Sequence, residues 1–133
     1  MELNHDIIDT PPRDAASVVM LRDAPDGLQV LLLRRHADSA VLGGAYVFPG
    51  GKVDAADASA DTLARLDRPP AELHARLGEP ALSANQAAAL YVAAAREAAA
   101  QSGVLFLQVG AKETATHRAD TRARLRAGGQ FAA

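Results

Sequence analysis

The sequence reads as one α/β domain, and three observations point there. Residues 16–21 (ASVVML) and 28–33 (LQVLLL) are β-forming runs separated by a turn segment. Residues 87–101 are rich in alanine and other helix formers and lie between helix start and stop signals. The length, 133 residues, suits one hydrophobic core and not two. Because 31 of those residues are alanine, only 34 larger apolar side chains remain, and the core they build is thin.

Residues 1–14 carry Pro11 and Pro12 and no periodic apolar pattern, which predicts a loosely held leader, with the domain spanning 15–133. The two β-runs form a hairpin across residues 22–27, where Pro25 presets a turn φ and Gly27 tolerates a positive one. Residues 34–45 turn charged and then small, and 46–48 (YVF) form a short strand broken by Pro49-Gly50-Gly51. Within 58–82, Leu63, Leu66, Leu73 and Leu77 fall at helical spacings but are interrupted by Pro69-Pro70, Gly78 and Pro80, so two short helices are expected. The strongest helix follows. Ser83 and Gln86 have the spacing of a capping box, and Gly103 stands where a helix stop belongs. An apolar stripe of Leu90, Tyr91, Ala94 and Ala98 would face the core. Residues 104–109 (VLFLQV) read as a strand and 116–127 as a short Arg/Ala helix.

Composition excludes several chemistries. With no cysteine, neither a disulfide framework nor a zinc-thiolate site nor a thiol nucleophile is available. A net charge of −2 argues against a general grip on nucleic acid, and no stretch approaches a membrane span, so a cytoplasmic protein with a small-molecule or protein partner is expected. His36, His74 and His117 lack metal-ligand spacing, and Arg118, Arg122, Arg124 and Arg126 read as a solvated helix face.

The candidate chemistry lies in the diglycine after the YVF strand, Asp54 and Asp57 in the next loop, and Arg96-Glu97 near the end of the long helix. Glycine lets backbone carbonyls come close to a ligand, and carboxylates are the hard oxygen ligands that Mg²⁺ prefers. Successive helical residues advance by about 100°, so Glu97, Ala100 and Gln101 share one face. Taken alone, each element has an ordinary reading: a turn, a cap, a solvated ion pair.

Together they resemble the Nudix hydrolase box: Gly, five residues, Glu, seven residues, then Arg-Glu, an apolar residue, any residue, Glu-Glu, any residue, Gly and an apolar residue. Gly51 is followed after five residues by Asp57, and Arg96-Glu97-Ala98 is completed by Gly103-Val104. The gap, 58–95, spans 38 residues instead of seven, and with FPGGKVDAAD and AAAREAAAQSGVLF it resembles the branch of coenzyme A diphosphatases. The resemblance implies an α/β/α sandwich around a mixed sheet and hydrolysis of a nucleoside diphosphate linked to another moiety. It implies Mg²⁺ or Mn²⁺ held by the Gly51 carbonyl, Asp57, Glu97 and Gln101. Glu97 would carry the catalytic role with Arg96 orienting carboxylates, and Arg34 and Arg35 would meet substrate phosphate.

Two departures temper that expectation. Ala100 and Gln101 stand where the resemblance implies a Glu pair, so metal binding is expected to be weak and the rate to fall by about 10³ to 10⁵. A catalytically inactive binding module on the same scaffold is the alternative. In addition, only 29 residues follow Val104, which implies a sheet incomplete on its C-terminal side. The open edge this implies would also admit a homo-oligomer.

Overall fold

The structure is a computed structural model that describes residues 10–39 and 42–104. The expected strand at 104–109, save its first residue, and helix at 116–127, with His117 and the arginines beyond it, lie outside the described residues, as does most of the leader. Among the described residues, six short strands form three antiparallel pairs. These are β1 (Ala15–Ser17) with β6 (Gly50–Lys52), β2 (Leu21–Ala24) with β3 (Gly27–Val30), and β4 (Leu33–Arg34) with β5 (Tyr46–Val47).

The hairpin differs from its expected register. Residues 16–21 do not pair as a unit with 28–33; the segment is divided between two partners. Its first part pairs with β6, with Ala16 opposite Gly51 and Ser17 opposite Gly50. The hairpin proper begins at Leu21 opposite Val30 and closes at Ala24 opposite Gly27, leaving Pro25 and Asp26 as the turn. Gly27 has φ 114°, which a side chain would strain. Pairing runs into the charged segment at Arg22, whose Nε donates to the Gln29 side chain at 2.9 Å, a polar cross-strand contact that hydrophobic pattern does not reveal. Leu21, Leu28 and Val30 are exposed on this hairpin.

The diglycine is also different from a bend. Gly50 and Gly51 lie within β6, and neither has a positive φ. Glycine is needed there because of what approaches. A Cβ on Gly50 would stand 2.5 Å from the Ala16 carbonyl oxygen, and one on Gly51 would stand 2.5 Å from the Glu97 carboxylate.

A 3₁₀ turn at Ala55–Ala58 leads into α1 (Ala60–Leu63) and α2 (Pro70–Leu77), the two short helices expected from the leucine spacing. Pro70 opens α2 at its first turn, and Gly78 ends it in the left-handed conformation at φ 73°. The long helix, α3 (Ala84–Ser102), begins at the Ser83/Gln86 capping box and stops at Gly103, φ 72°. It packs against α2, the 3₁₀ turn, β6 and β1. Its buried face is Ala87, Ala88, Ala89, Val92, Ala93, Ala98 and Ala99; of the expected Leu90, Tyr91, Ala94 and Ala98 stripe, Ala98 is buried, Leu90 and Ala94 are half-buried and Tyr91 is exposed. Alanine on that face lets neighbouring backbone come close. No described helix is long and apolar enough to cross a membrane.

Candidate functional site

The site forms where the C-terminal half of α3 lies across β6. Arg96 is its centre. Its guanidinium makes a two-pronged contact with Asp57, Nε to Oδ1 and Nη2 to Oδ2, both 2.9 Å. Nη2 also donates to the Lys52 carbonyl at 2.9 Å and lies 3.3 Å from Asp54 Oδ2, while Nη1 donates to Glu97 Oε1 at 2.6 Å. A planar fork of five donors suits such a task, since two parallel N–H bonds fix a carboxylate in orientation as well as distance. Hydrogen bonding to Asp57 is the main cause holding the Arg96 guanidinium still more firmly protonated than usual; burial opposes it, and Glu97 adds to it.

Asp57 is 2 % exposed, and its Oδ2 also accepts from the Asp54 backbone N–H at 2.8 Å. Both of its oxygens are therefore engaged, one of them twice. It serves to lock the 3₁₀ turn to α3, and the pair spans the 38 residues between 57 and 96. Buried charges persist only when paired and hydrogen-bonded in this way.

One helical turn further on, Gln101 closes the other side. Its Oε1 accepts from Gly50 N–H at 3.2 Å, and its Nε2 donates both to the Gly50 carbonyl at 2.8 Å and to Glu97 Oε2 at 2.8 Å. The carboxamide thus pairs with the Gly50 peptide group as a neighbouring strand would. Ala100, beside it, is exposed. Glu97 is held from both ends, by Arg96 on one oxygen and Gln101 on the other.

Gly51, Asp57, Arg96, Glu97 and Gln101 are thereby brought together from segments far apart in the chain. Arg34 and Arg35 approach from a third direction. They line a cleft of ≈ 510 Å³ together with Phe48, Gly50, Gly51 and Gln101. Arg96 and Asp57 are not on its wall. Its charged lining residues are those two arginines, with no acid among the described ones, and neither arginine makes an ion pair among the described residues. Ser17 and Ala16 also face the cleft, a contribution that sequence reasoning missed because it depends on β1 pairing with β6. No local signal announces that pairing.

Among the described residues the His36 ring meets Asp38, and the His74 ring nitrogen meets the Glu79 carbonyl, so neither joins the site.

No family model matches the chain. Among solved structures it is similar to the crystal structure of a NUDIX hydrolase from Alicyclobacillus acidocaldarius, with 29% sequence identity and a TM-score of 0.60. The match covers 92% of this chain and 52% of that one, so the chain spans about half the length of the structure it resembles. This likeness supports the Nudix family and an α/β fold of that type for the chain.

Nudix hydrolases generally use divalent metals, which makes the fit of such an ion a question for these donors. Mg²⁺ requires hard oxygens, several of them anionic, in near-octahedral array. Among the described residues no group of three His, Asp or Glu side chains could hold a metal ion. Asp57 is committed to Arg96, Gln101 offers a neutral oxygen already bonded to Gly50, and both Glu97 oxygens accept from protein donors. The donor set does not fit a divalent ion.

Proposed function

We propose that the chain is a Nudix-type hydrolase domain. Its cleft receives a nucleoside diphosphate linked to another moiety, coenzyme A derivatives among them, and it hydrolyses the diphosphate only weakly. The observation that carries this reading is the cleft itself, where Arg34 and Arg35 share a wall with Gly51 and Gln101 and no described acid opposes them. Two guanidinium groups without an ion pair among the described residues are suited to the oxygens of a diphosphate, which they can meet in a two-pronged fashion. Glycines at 50 and 51 leave the strand backbone accessible to a bulky anion.

Weak turnover follows from the carboxylates. Glu97 is the acid beside Gly51, yet Arg96 and Gln101 already engage one oxygen each, so neither is held ready for an attacking water. Ala100 supplies nothing. The alternative, a binding module without turnover, is favoured by Gln101, whose bonds to Gly50 complete the wall of the cleft and leave no anionic group at that position. Its place in either case is the cytoplasm, and a second copy of the chain is the protein partner we would test for.

Calorimetric titration with coenzyme A and with an ADP-sugar tests the ligand class. Binding should weaken by about tenfold or more in the Arg34→Ala, Arg35→Ala double variant, the loss of two charge-assisted contacts. Phosphorus NMR of the same mixtures with Mg²⁺ separates the two readings. Slow release of monophosphate products that rises in Ala100→Glu, Gln101→Glu supports the hydrolase, whereas binding without turnover in parent and variant supports the module. Absence of binding by the parent removes both.

A further inference from the structure

We propose that Gln101 makes the junction of β6 and α3 independent of divalent cations, its carboxamide joining a backbone carbonyl to a carboxylate where a hard cation would otherwise be needed. The inference concerns the same site as the proposed function, but its tests need neither ligand nor turnover, so either can fail without the other.

The geometry is specific. A carboxamide NH₂ has two hydrogens, and Gln101 Nε2 has two acceptors, the Gly50 carbonyl and Glu97 Oε2, each at 2.8 Å. A peptide carbonyl and a carboxylate are also the oxygen types that Mg²⁺ or Mn²⁺ draws together. The remaining atom, Oε1, accepts from Gly50 N–H, so all the polar atoms of the side chain are used. On the far side, the Arg96 guanidinium supplies a fixed positive charge to Asp54, Asp57 and Glu97 at 3.3, 2.9 and 2.6 Å. The carboxylates are gathered around a resident cation belonging to the chain. A divalent ion bound to these two oxygens would have to displace Nε2 from both the Gly50 carbonyl and Glu97, breaking two bonds to gain one anionic ligand.

A carboxylate at position 101 reverses this. It keeps the bond from Gly50 N–H but loses both donors, and it sets two like charges four residues apart on one helical face. Such a site is destabilised until a cation enters, and binding to the folded state then raises its stability by mass action.

Thermal melting of the parent, Gln101→Glu and Gln101→Ala, with chelator and with millimolar Mn²⁺, is the test. The parent Tm is expected to stay the same in both conditions. Gln101→Glu should melt several degrees lower with chelator and recover with Mn²⁺; Gln101→Ala should melt lower in both, a split that simple loss of packing would not produce. A parent Tm that rises with Mn²⁺, an unaltered Tm in Gln101→Ala, or no recovery of Gln101→Glu would each overturn the proposal. If Gln101→Glu does not fold, the parent still decides the matter by ¹⁵N NMR. The Gln101 carboxamide resonance should remain sharp as paramagnetic Mn²⁺ is added, and its selective broadening would refute cation independence.

Discussion

The helix α3 is tied to the rest of the domain at two levels that differ in nearly every physical respect. At Arg96 the tie is charged and sheltered. Asp57 is 2 % exposed, the arginine side chain 18 %, and four acceptors converge on one guanidinium. At Gln101 the tie rests on a neutral side chain open to water, a carboxamide against the Gly50 backbone and Glu97. The contrast shows a division of labour. The sheltered pair holds the intervening 38 residues in place and takes no part in the cleft wall, whereas Gly50 and Gln101 of the open one form part of that wall.

The comparison is broken most severely at its charged level. Arg96→Ala leaves Asp57 buried with only the Asp54 N–H as partner, and removing one member of a buried ion pair typically costs about 3–5 kcal/mol. Against a total stability of about 5–15 kcal/mol for a domain of this size, the loss is large. Urea denaturation should show it as a lowered midpoint. A decrease below about 1 kcal/mol would mean that water reaches Asp57 and that the two levels are energetically alike.

Legibility follows the same division between what is local and what is distant. The start and stop of α3 lie in a few neighbouring residues, Ser83 with Gln86 at one end and Gly103 at the other, and each is satisfied by backbone within one turn. Pro70 and Gly78 bound α2 in the same way. The partner of residues 15–17 is not legible so, because 37 positions separate Ala15 from Lys52, its partner across the pair, and nothing local names that distant strand. The diglycine shows the intermediate case. Its type suggests a tight backbone, yet the reason is the approach of Ala16 and Glu97 and not a turn. For the site, resemblance to a spaced motif singled out Gly51, Asp57, Arg96, Glu97 and Gln101. That Gln101 pairs with a peptide group, and that Asp57 is fully occupied by Arg96, depend on positions in space that spacing does not convey.

A smaller effect separates the strand from the helix at the open level. In Gly50→Ala the added Cβ meets backbone, the Ala16 carbonyl at 2.5 Å and Ser17 Cα at 2.9 Å, so β1 must shift. Overpacking of this kind costs about 1–3 kcal/mol. Because Gln101 bonds both the N–H and the carbonyl of Gly50, the displacement should also loosen the carboxamide, seen as faster hydrogen exchange at its Nε2 group. An unchanged exchange rate in a destabilised Gly50→Ala protein would show that the neutral tie does not depend on strand position.

The smallest expected effect serves as the reference for both. Ser83→Ala removes the hydroxyl that accepts from Gln86 N–H at 3.2 Å, while leaving every side chain at Arg96 and Gln101 in place. Loss of a serine cap costs about 1 kcal/mol. The cap lies three turns before Arg96, so its loss weakens the helix as a whole, and the double variant with Arg96→Ala should lose the sum of the two single effects within about 0.5 kcal/mol, as for distant sites. A double variant much more stable than that sum would mean that fraying of α3 from its N-terminus already releases Arg96 from Asp57, which would make the charged tie a consequence of helix formation and not one of its causes.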